Sequence, residues 1–511
     1  MIAAVLLVTA GLLARQAVTL WSGKASARDP IVDGYAVRLD AAGAVLGVGA
    51  SVRPGDRIGF ALNARREQTI IPVITGPSGK VVATLPAAKI APHAGTTSAP
   101  WIDGSNYPVA FAWTVPAATP GGVYYLDGLP DIFFAVKTTA SPPPAIAVLL
   151  PTHTLNAYSA TLGRSLYRQP VMVQAVSFLR PQHIEKAAEW RGFLRWVQET
   201  QPFGSERPAY VTDADMEDDG LLPGAKVLIV LGHSEYWTRR ARINFDAFIA
   251  RGGNAVIAGG DVMWWQTRLS ADGQVMYEYR LDKPAAEGGD PVADPKLRTV
   301  YWNNPKLGLP ALASIGGAFT YGGYGQRDPG GGPAKSTMTV AAAGSPLLAG
   351  TGLKNCGLLD VPMSTEWDGA PITGLDAAGR PVADIARIGA ARFEIIAYKW
   401  NRNGPHLMLG TMHMMQRAPG SGYVLHMGGR SCCMGEEFYA GAGHGKTQVQ
   451  TILRNAVGIF LASGDPFTPN AAPGTVAFPM STPWLKPMPV VPPGPCAPHE
   501  MGSAADATET E

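Results

Sequence analysis

From Pro30 to about Ala140 the apolar residues come in short runs parted by turns: Tyr35 to Leu39, Ile58 to Leu62, Thr69 to Ile74, Ala110 to Val115 and Ile132 to Val136. Runs of this length and spacing predict a β-sandwich over residues 30–140. Ser141-Pro142-Pro143-Pro144 then forms a stiff link. Beyond it the pattern changes to strand and helix in alternation. Ala145 to Leu150 reads as a strand, Ile184 to Glu199 as a helix, Ala209 to Thr212 and Lys226 to Leu231 as strands, Arg239 to Arg251 as a helix and Asn254 to Ala258 as a strand. This alternation predicts a doubly wound α/β domain over residues 145–465. Residues 268–350 are rich in Gly, Pro and Asp with weak periodicity, and read as an irregular insertion. Short β runs return at Glu394 to Tyr398, His406 to Leu409 and Tyr423 to His426, and a helix from Thr447 to Ala462 closes the domain. A Pro-rich tail with an acidic end occupies residues 466–511.

Within this pattern, residues 226 to 237 (Lys-Val-Leu-Ile-Val-Leu-Gly-His-Ser-Glu-Tyr-Trp) stand out, because five apolar residues run straight into a polar loop. An unbroken β-branched run is what a parallel strand covered on both faces requires, and ligands bind at the carboxyl ends of such strands. Thr238 can cap the following helix, which stops at Gly252-Gly253. His233 and Glu235, two residues apart, share a face of an extended segment and can reach one metal or substrate. Two further strand ends carry polar loops, Pro151 to Tyr158 and Gly259 to Trp265, and parallel strands would bring all three to one rim. The loop at 232–237 has neither a Gly-rich phosphate cradle nor the Gly-x-Ser-x-Gly setting of a nucleophilic serine.

Composition narrows the field. A chain of 511 residues with 46% hydrophobic content has material for substantial cores and roughly two to four domains. Net charge is +2, from 42 Lys plus Arg against 40 Asp plus Glu, which excludes a polyanion-binding field and makes nucleic acid no partner. Cys356, Cys432, Cys433 and Cys496 are too few and too irregularly placed for a disulfide framework or a Cys-x-x-Cys zinc site. The adjacent Cys432-Cys433 pair reads as two inert thiols, with a redox or metal role as the alternative. Met1 to Ala14 is apolar and Ala25-Ser26-Ala27 has a small-x-small form, so residues 1–27 read as a signal peptide or membrane anchor. This predicts an exported, periplasmic or membrane-tethered protein. No Lys or Arg precedes the apolar run, and a cytoplasmic location is the alternative.

Six segments in this order resemble the large (β) subunit of N,N-dimethylformamidase and its relatives: Gly122-Val-Tyr124, Asn156-Ala-Tyr158, Arg164-Ser-Leu-Tyr167, Gly232 to Trp237, Gly259 to Trp264 and Thr365-Glu-Trp-Asp-Gly369. The resemblance spans roughly residues 30 to 465. It implies a β-sandwich followed by an amidotransferase-like doubly wound α/β domain, and a mononuclear Fe(III) held by two tyrosines and one glutamate. Carried over by motif, the glutamate is Glu235 and one tyrosine is Tyr158. The other is Tyr124, with Tyr125 and Tyr167 as alternatives. His233 then lies beside the metal, and Glu366 resembles a further catalytic carboxylate. Relatives carry Gly-Gly-Asn where this chain has Asp261. An Asn amide can donate a hydrogen bond to a substrate oxygen, whereas an ionised Asp only accepts, so the substrate is expected to differ from dimethylformamide and to carry donor groups or positive charge. The alternative is that Asp261 caps a turn.

Phenolate and carboxylate are hard anionic donors that suit Fe(III) better than the N/S ligands usual for zinc. Three ligands leave positions at which an amide can be polarised and a water acidified. The expected function is therefore iron-dependent hydrolysis of a small, non-peptide amide, either alone, as a homo-oligomer or with a small partner subunit. A different class, a non-catalytic exported glycan- or peptide-binding protein, would use the sandwich and Trp237, Trp264 and Trp265 to hold its ligand.

Overall fold

The computed structural model describes residues 31–480 and Cys496, apart from 95–96, 168–171, 183, 219–221, 223, 326–334, 363–364, 404–405, 430–447 and 472–473. The candidate leader at 1–27, the Cys432-Cys433 pair and the acidic end lie outside the described residues. Among the described residues no helix is long and apolar enough to cross a membrane.

The molecule is mostly β and built from several sheets. Residues 31–136 contain a β-sandwich. One sheet runs in the order Val45–Val48, Ile31–Leu39, Arg57–Ala64, Val109–Thr114; the other runs Ser51–Val52, Leu129–Val136, Gly122–Leu126, Val73–Thr75, Val81–Thr84. Strand alternation sends Ile58, Phe60 and Leu62 of the first sheet against Ile74, Tyr124, Leu126 and Phe134 of the second. The Thr69 to Ile74 run, expected as one strand, is two, Gln68–Ile70 and Val73–Thr75. They part at Ile71-Pro72 because proline has no N–H to give to the ladder. The opposite face of the second sheet, with Val123, Tyr125, Phe133 and Ala135, packs on the helix Ile184–Thr200, where Phe133 meets Trp190 edge to face at 5.2 Å.

The rest of the chain centres on a nine-stranded sheet. Its first five strands, Ala209–Thr212, Ile146–Leu150, Val227–Leu231, Asn254–Ala258 and Tyr423–His426, are mutually parallel. His406–Gln416, Arg392–Asn403, Lys335–Val340 and Leu358–Pro362 extend it as antiparallel strands. Ile146, Val148, Val227 and Ile229 face the helices Ile184–Thr200 and Gln448–Leu461, while Ala147, Leu149, Leu228 and Val230 face the helix Arg239–Ala250. Cover on both faces is why Val227–Leu231 had to be apolar throughout; burying its five side chains is worth roughly 10 kcal/mol as an upper bound. Thr238 caps Arg239–Ala250 as its sequence predicts, accepting from the Ala241 N–H at 3.1 Å. Lys335–Val340 belongs to the stretch read as an irregular insertion, and only its partners in the sheet make it a strand.

Cysteine takes a larger part than its spacing predicts. Cys356 and Cys496 form a disulfide that ties the tail to the sheet region across 140 residues, and the Tyr398 hydroxyl donates to the Cys496 carbonyl at 3.0 Å. A pairing over that separation matches no spacing motif and is invisible in one sequence.

Candidate metal centre and active site

Strand Val227–Leu231 ends at Gly232, whose φ of 70° turns the chain into His233. The neighbouring strand Asn254–Ala258 ends at Gly259, where a Cβ would stand 2.0 Å from the Gly232 carbonyl oxygen. Only glycine lets the two loops come this close. The second loop then curls through left-handed conformations at Asp261 (φ 54°) and Met263 (φ 57°). Backbone bonds lock the loops together: Met263 N–H donates to the Ser234 carbonyl at 2.9 Å, and the Trp264 and Trp265 N–H groups to that of Glu235, each at 3.0 Å.

The third loop, Pro151 to Tyr158, is a short helix, Thr152–Tyr158, rather than an irregular loop. Asp213, just past the Ala209–Thr212 strand, holds its start by accepting from the His153 N–H at 2.7 Å and the Thr152 hydroxyl at 3.3 Å. Burial pushes the Asp213 carboxyl up to about 7, against these hydrogen bonds. Thr154 on the same helix accepts from the Glu235 N–H at 2.9 Å, so the three strand ends form one braced unit.

Into this unit project His233, Glu235 and Asp261, all buried, each with a candidate ligand atom within 4.8 Å of the others. His233 Nε2 lies 3.1 Å from the Tyr158 hydroxyl, 3.1 Å from Glu235 Oε2 and 3.6 Å from Glu366 Oε2. Its Nδ1 stands 3.3 Å from the Gly260 carbonyl. A carbonyl only accepts, so Nδ1 carries a proton, and in the neutral ring Nε2 accepts from Tyr158. Burial first, then the charges of Glu235, Tyr236, Glu366 and Asp261, raises the Tyr158 phenol well above its ordinary range. A cation bound among these carboxylates would offset their charge and favour the phenolate.

Tyr124 is not at this cluster. It points into the sandwich core, stacked on Phe134 at 5.9 Å, with its hydroxyl donating to the Pro120 carbonyl at 2.7 Å. Strand alternation turns Tyr125 the other way, into the interface with Ile184–Thr200 under Arg191. The third candidate, Tyr167, stacks on Tyr158 with centroids 4.6 Å apart. Sequence reasoning missed Tyr236, which meets Tyr158 edge to face and whose hydroxyl lies 2.5 Å from Arg280, itself paired with Glu278 at 2.6 Å. Arg280 and Glu278 come from the stretch read as an insertion, which carries no local pattern to mark them.

The model of the N,N-dimethylformamidase beta subunit-like C-terminal family matches residues 65–435, a span that holds every residue named at this centre. The chain belongs to this family. No curated protein matches it. Among solved structures, a ThuA-like protein from Bacteroides uniformis ATCC 8492 is 14% identical over 64% of this chain and 97% of its own, with a TM-score of 0.32, too slight a likeness to carry an argument.

In this N,N-dimethylformamidase-like chain the strand Glu366–Gly369 acts twice: Glu366 faces His233, and Asp368, two residues on, holds the Asp261 loop. Asp368 is fully buried, and its Oδ2 accepts from the Val262 N–H at 3.0 Å and from His426 Nε2 at 3.0 Å. His426 Nδ1 accepts from the Gly428 N–H, which leaves the ring proton on Nε2, aimed at Asp368. Asp368→Asn keeps an acceptor but not the charge. It is expected to lower stability by about 1–2 kcal/mol and to loosen the turn at Asp261, as read by urea unfolding and metal affinity. Unchanged values in both would remove Asp368 from this role.

Proposed function

We propose that the protein is an iron-dependent hydrolase of a non-peptide C–N amide bond, working on an amidotransferase-like scaffold, with a small amide other than dimethylformamide as substrate. The observation that carries this reading is the convergence of Tyr158, His233, Glu235, Asp261 and Glu366, from four separate segments, on one buried cluster at the parallel strand ends. The donors are hard oxygens plus one imidazole, a set that fits a hard cation. Tyr124 lies in another core and Tyr125 in the helix interface, which leaves Tyr167, stacked on Tyr158, as the alternative for the second tyrosine. Tyr158 and Glu235 would hold the ion, with Asp261 as the third anionic donor.

Bound there, the ion would supply Lewis acidity towards the amide and a water. The chain supplies the proton handling. His233, its Nδ1 fixed on the Gly260 carbonyl, presents Nε2 to take a proton, and Glu366 beside it can receive or return that proton at the leaving amine. The Cys356–Cys496 disulfide favours the export that the N-terminal pattern predicts. A second reading, a non-catalytic glycan- or peptide-binding protein, draws on the exposed rings of Tyr167, Tyr301 and Tyr324.

Metal analysis separates the two. Protein made in iron-replete medium is expected to hold about one iron per chain and to show a visible phenolate-to-iron band, both lost in Glu235→Ala. Zinc in its place, or no metal, would sink the proposal.

A further inference from the structure

Arg280 stands in a backbone conformation that residues other than glycine rarely adopt. Its φ is 64°, and the three-residue turn centred on it is closed by the Leu281 N–H donating to the Tyr279 carbonyl at 2.7 Å. Turns of this hand are strained for a residue with a Cβ and persist where the surroundings hold them. Thr299 does so at two points: its carbonyl accepts from the Arg280 N–H at 2.9 Å and its hydroxyl from the Tyr279 N–H at 2.9 Å. A second costly feature lies two residues back. The Glu278 side chain is fully buried; its Oε2 accepts from Arg280 Nε at 2.6 Å, while its Oε1 has no hydrogen-bond partner. Burying an acid with one oxygen unsatisfied is destabilising, so fold stability alone does not account for the pair.

Both features aim one guanidinium. With its Nε on Glu278, its Nη2 donates to the Tyr236 hydroxyl at 2.5 Å, and its Cζ sits over the Trp265 ring, 4.8 Å from the centroid. Two donors fixed in one plane, on a group that also packs on an indole, are available to arginine and not to lysine. Tyr236 is fully buried, and its ring meets that of Tyr158 edge to face at 6.1 Å, both packed with Ala157, Phe178 and Met276. Tyr158 in turn sets its hydroxyl 3.1 Å from His233 Nε2. Contact is therefore unbroken from Glu278 through Arg280, Tyr236 and Tyr158 to His233. We propose that Arg280 is a positioning residue, which through the Tyr236 hydroxyl fixes the angle of the Tyr158 ring and so the place of its hydroxyl against His233. The part that hydroxyl plays in turnover rests on the hydrolase reading; the orientation of the ring does not.

Tyr236→Phe removes the hydroxyl that Arg280 addresses and keeps the ring, whereas Arg280→Lys keeps the charge and loses the fork. Each single variant and the double variant are compared with the wild type in two measurements. One follows the Tyr158 Cζ signal by nuclear magnetic resonance in chelator-treated protein labelled with carbon-13 tyrosine, assigned through Tyr158→Phe. The other follows turnover of a panel of N-alkylformamides by the full-length protein. Both single variants are expected to displace the Tyr158 signal and to lower kcat about 10- to 100-fold with little change in KM. The double variant should lose no more than the worse single one, because the two residues act through one contact. Tyr236→Phe alters a single buried oxygen and decides the matter alone if Arg280→Lys does not fold. A Tyr158 signal unmoved in Tyr236→Phe overturns the inference, as do losses that add in the double variant. A displaced signal with no turnover by any protein, the wild type included, upholds the inference and sinks the hydrolase reading; turnover by the wild type with the signal unmoved does the reverse.

Discussion

Replacing His233 by alanine is expected to lower kcat by about 10²- to 10⁴-fold while metal content stays near that of the wild type. The ring is held by the Gly260 carbonyl on one side, and its other nitrogen faces Tyr158, Glu235 and Glu366 at 3.1, 3.1 and 3.6 Å. The other buried histidines among the described residues are His153, His413 and His426; His153 packs on Phe178 with ring centroids 5.3 Å apart, and burial lowers its pKa to about 3. His413 is spent between Thr411 and the Ile315 carbonyl and held neutral by burial, its pKa lowered to about 3, while His426 is committed to Asp368. The loss should fall on kcat rather than KM, because a group that moves a proton acts in the transition state. Iron content and turnover measured on the same preparations of His233→Ala and Glu235→Ala decide the matter. If both variants lose iron equally, His233 is a ligand and the role assigned to it here is wrong.

Gly259→Ala is expected to destabilise the protein by about 3 kcal/mol or more and to empty the proposed metal site. The added methyl would meet the Gly232 carbonyl oxygen at 2.0 Å, and both partners are backbone at adjoining strand ends, so neither can rotate away. Relief requires separating the loops that carry His233 and Asp261, at the cost of the bonds from Met263, Trp264 and Trp265 to Ser234 and Glu235. As a control, Gly273→Ala changes a turn residue with open space around its Cβ position and should leave metal content alone, although its φ of 70° gives it some strain of its own. Urea midpoints and metal content of the two variants provide the comparison. A Gly259→Ala protein with normal stability and full metal would mean that the loops are not packed this tightly.

Sequence by itself settled what depends on short-range order. The Val227–Leu231 run, the cap at Thr238 and the order of the motif segments are local patterns of period and punctuation, and the family match bears out the resemblance those segments carried. The bracing of His233 and Glu235 against the Gly259 loop was open to inference for the same reason, since parallel strands must end on one side of their sheet. Tertiary structure decided the rest. Whether Tyr124 or Tyr167 stood near Tyr158 depended on which sheet face each residue took and on what covered it, and no spacing along the chain records that. Asp213 and Asp368 gain their roles from backbone N–H groups 60 and 106 residues away. The disulfide joins residues 140 apart, and Arg280 is placed against Tyr236, 44 residues away, by contacts across the fold rather than by periodicity. Local propensity fixes what each segment can become, but long-range packing, which no single segment encodes, fixes which side chains meet.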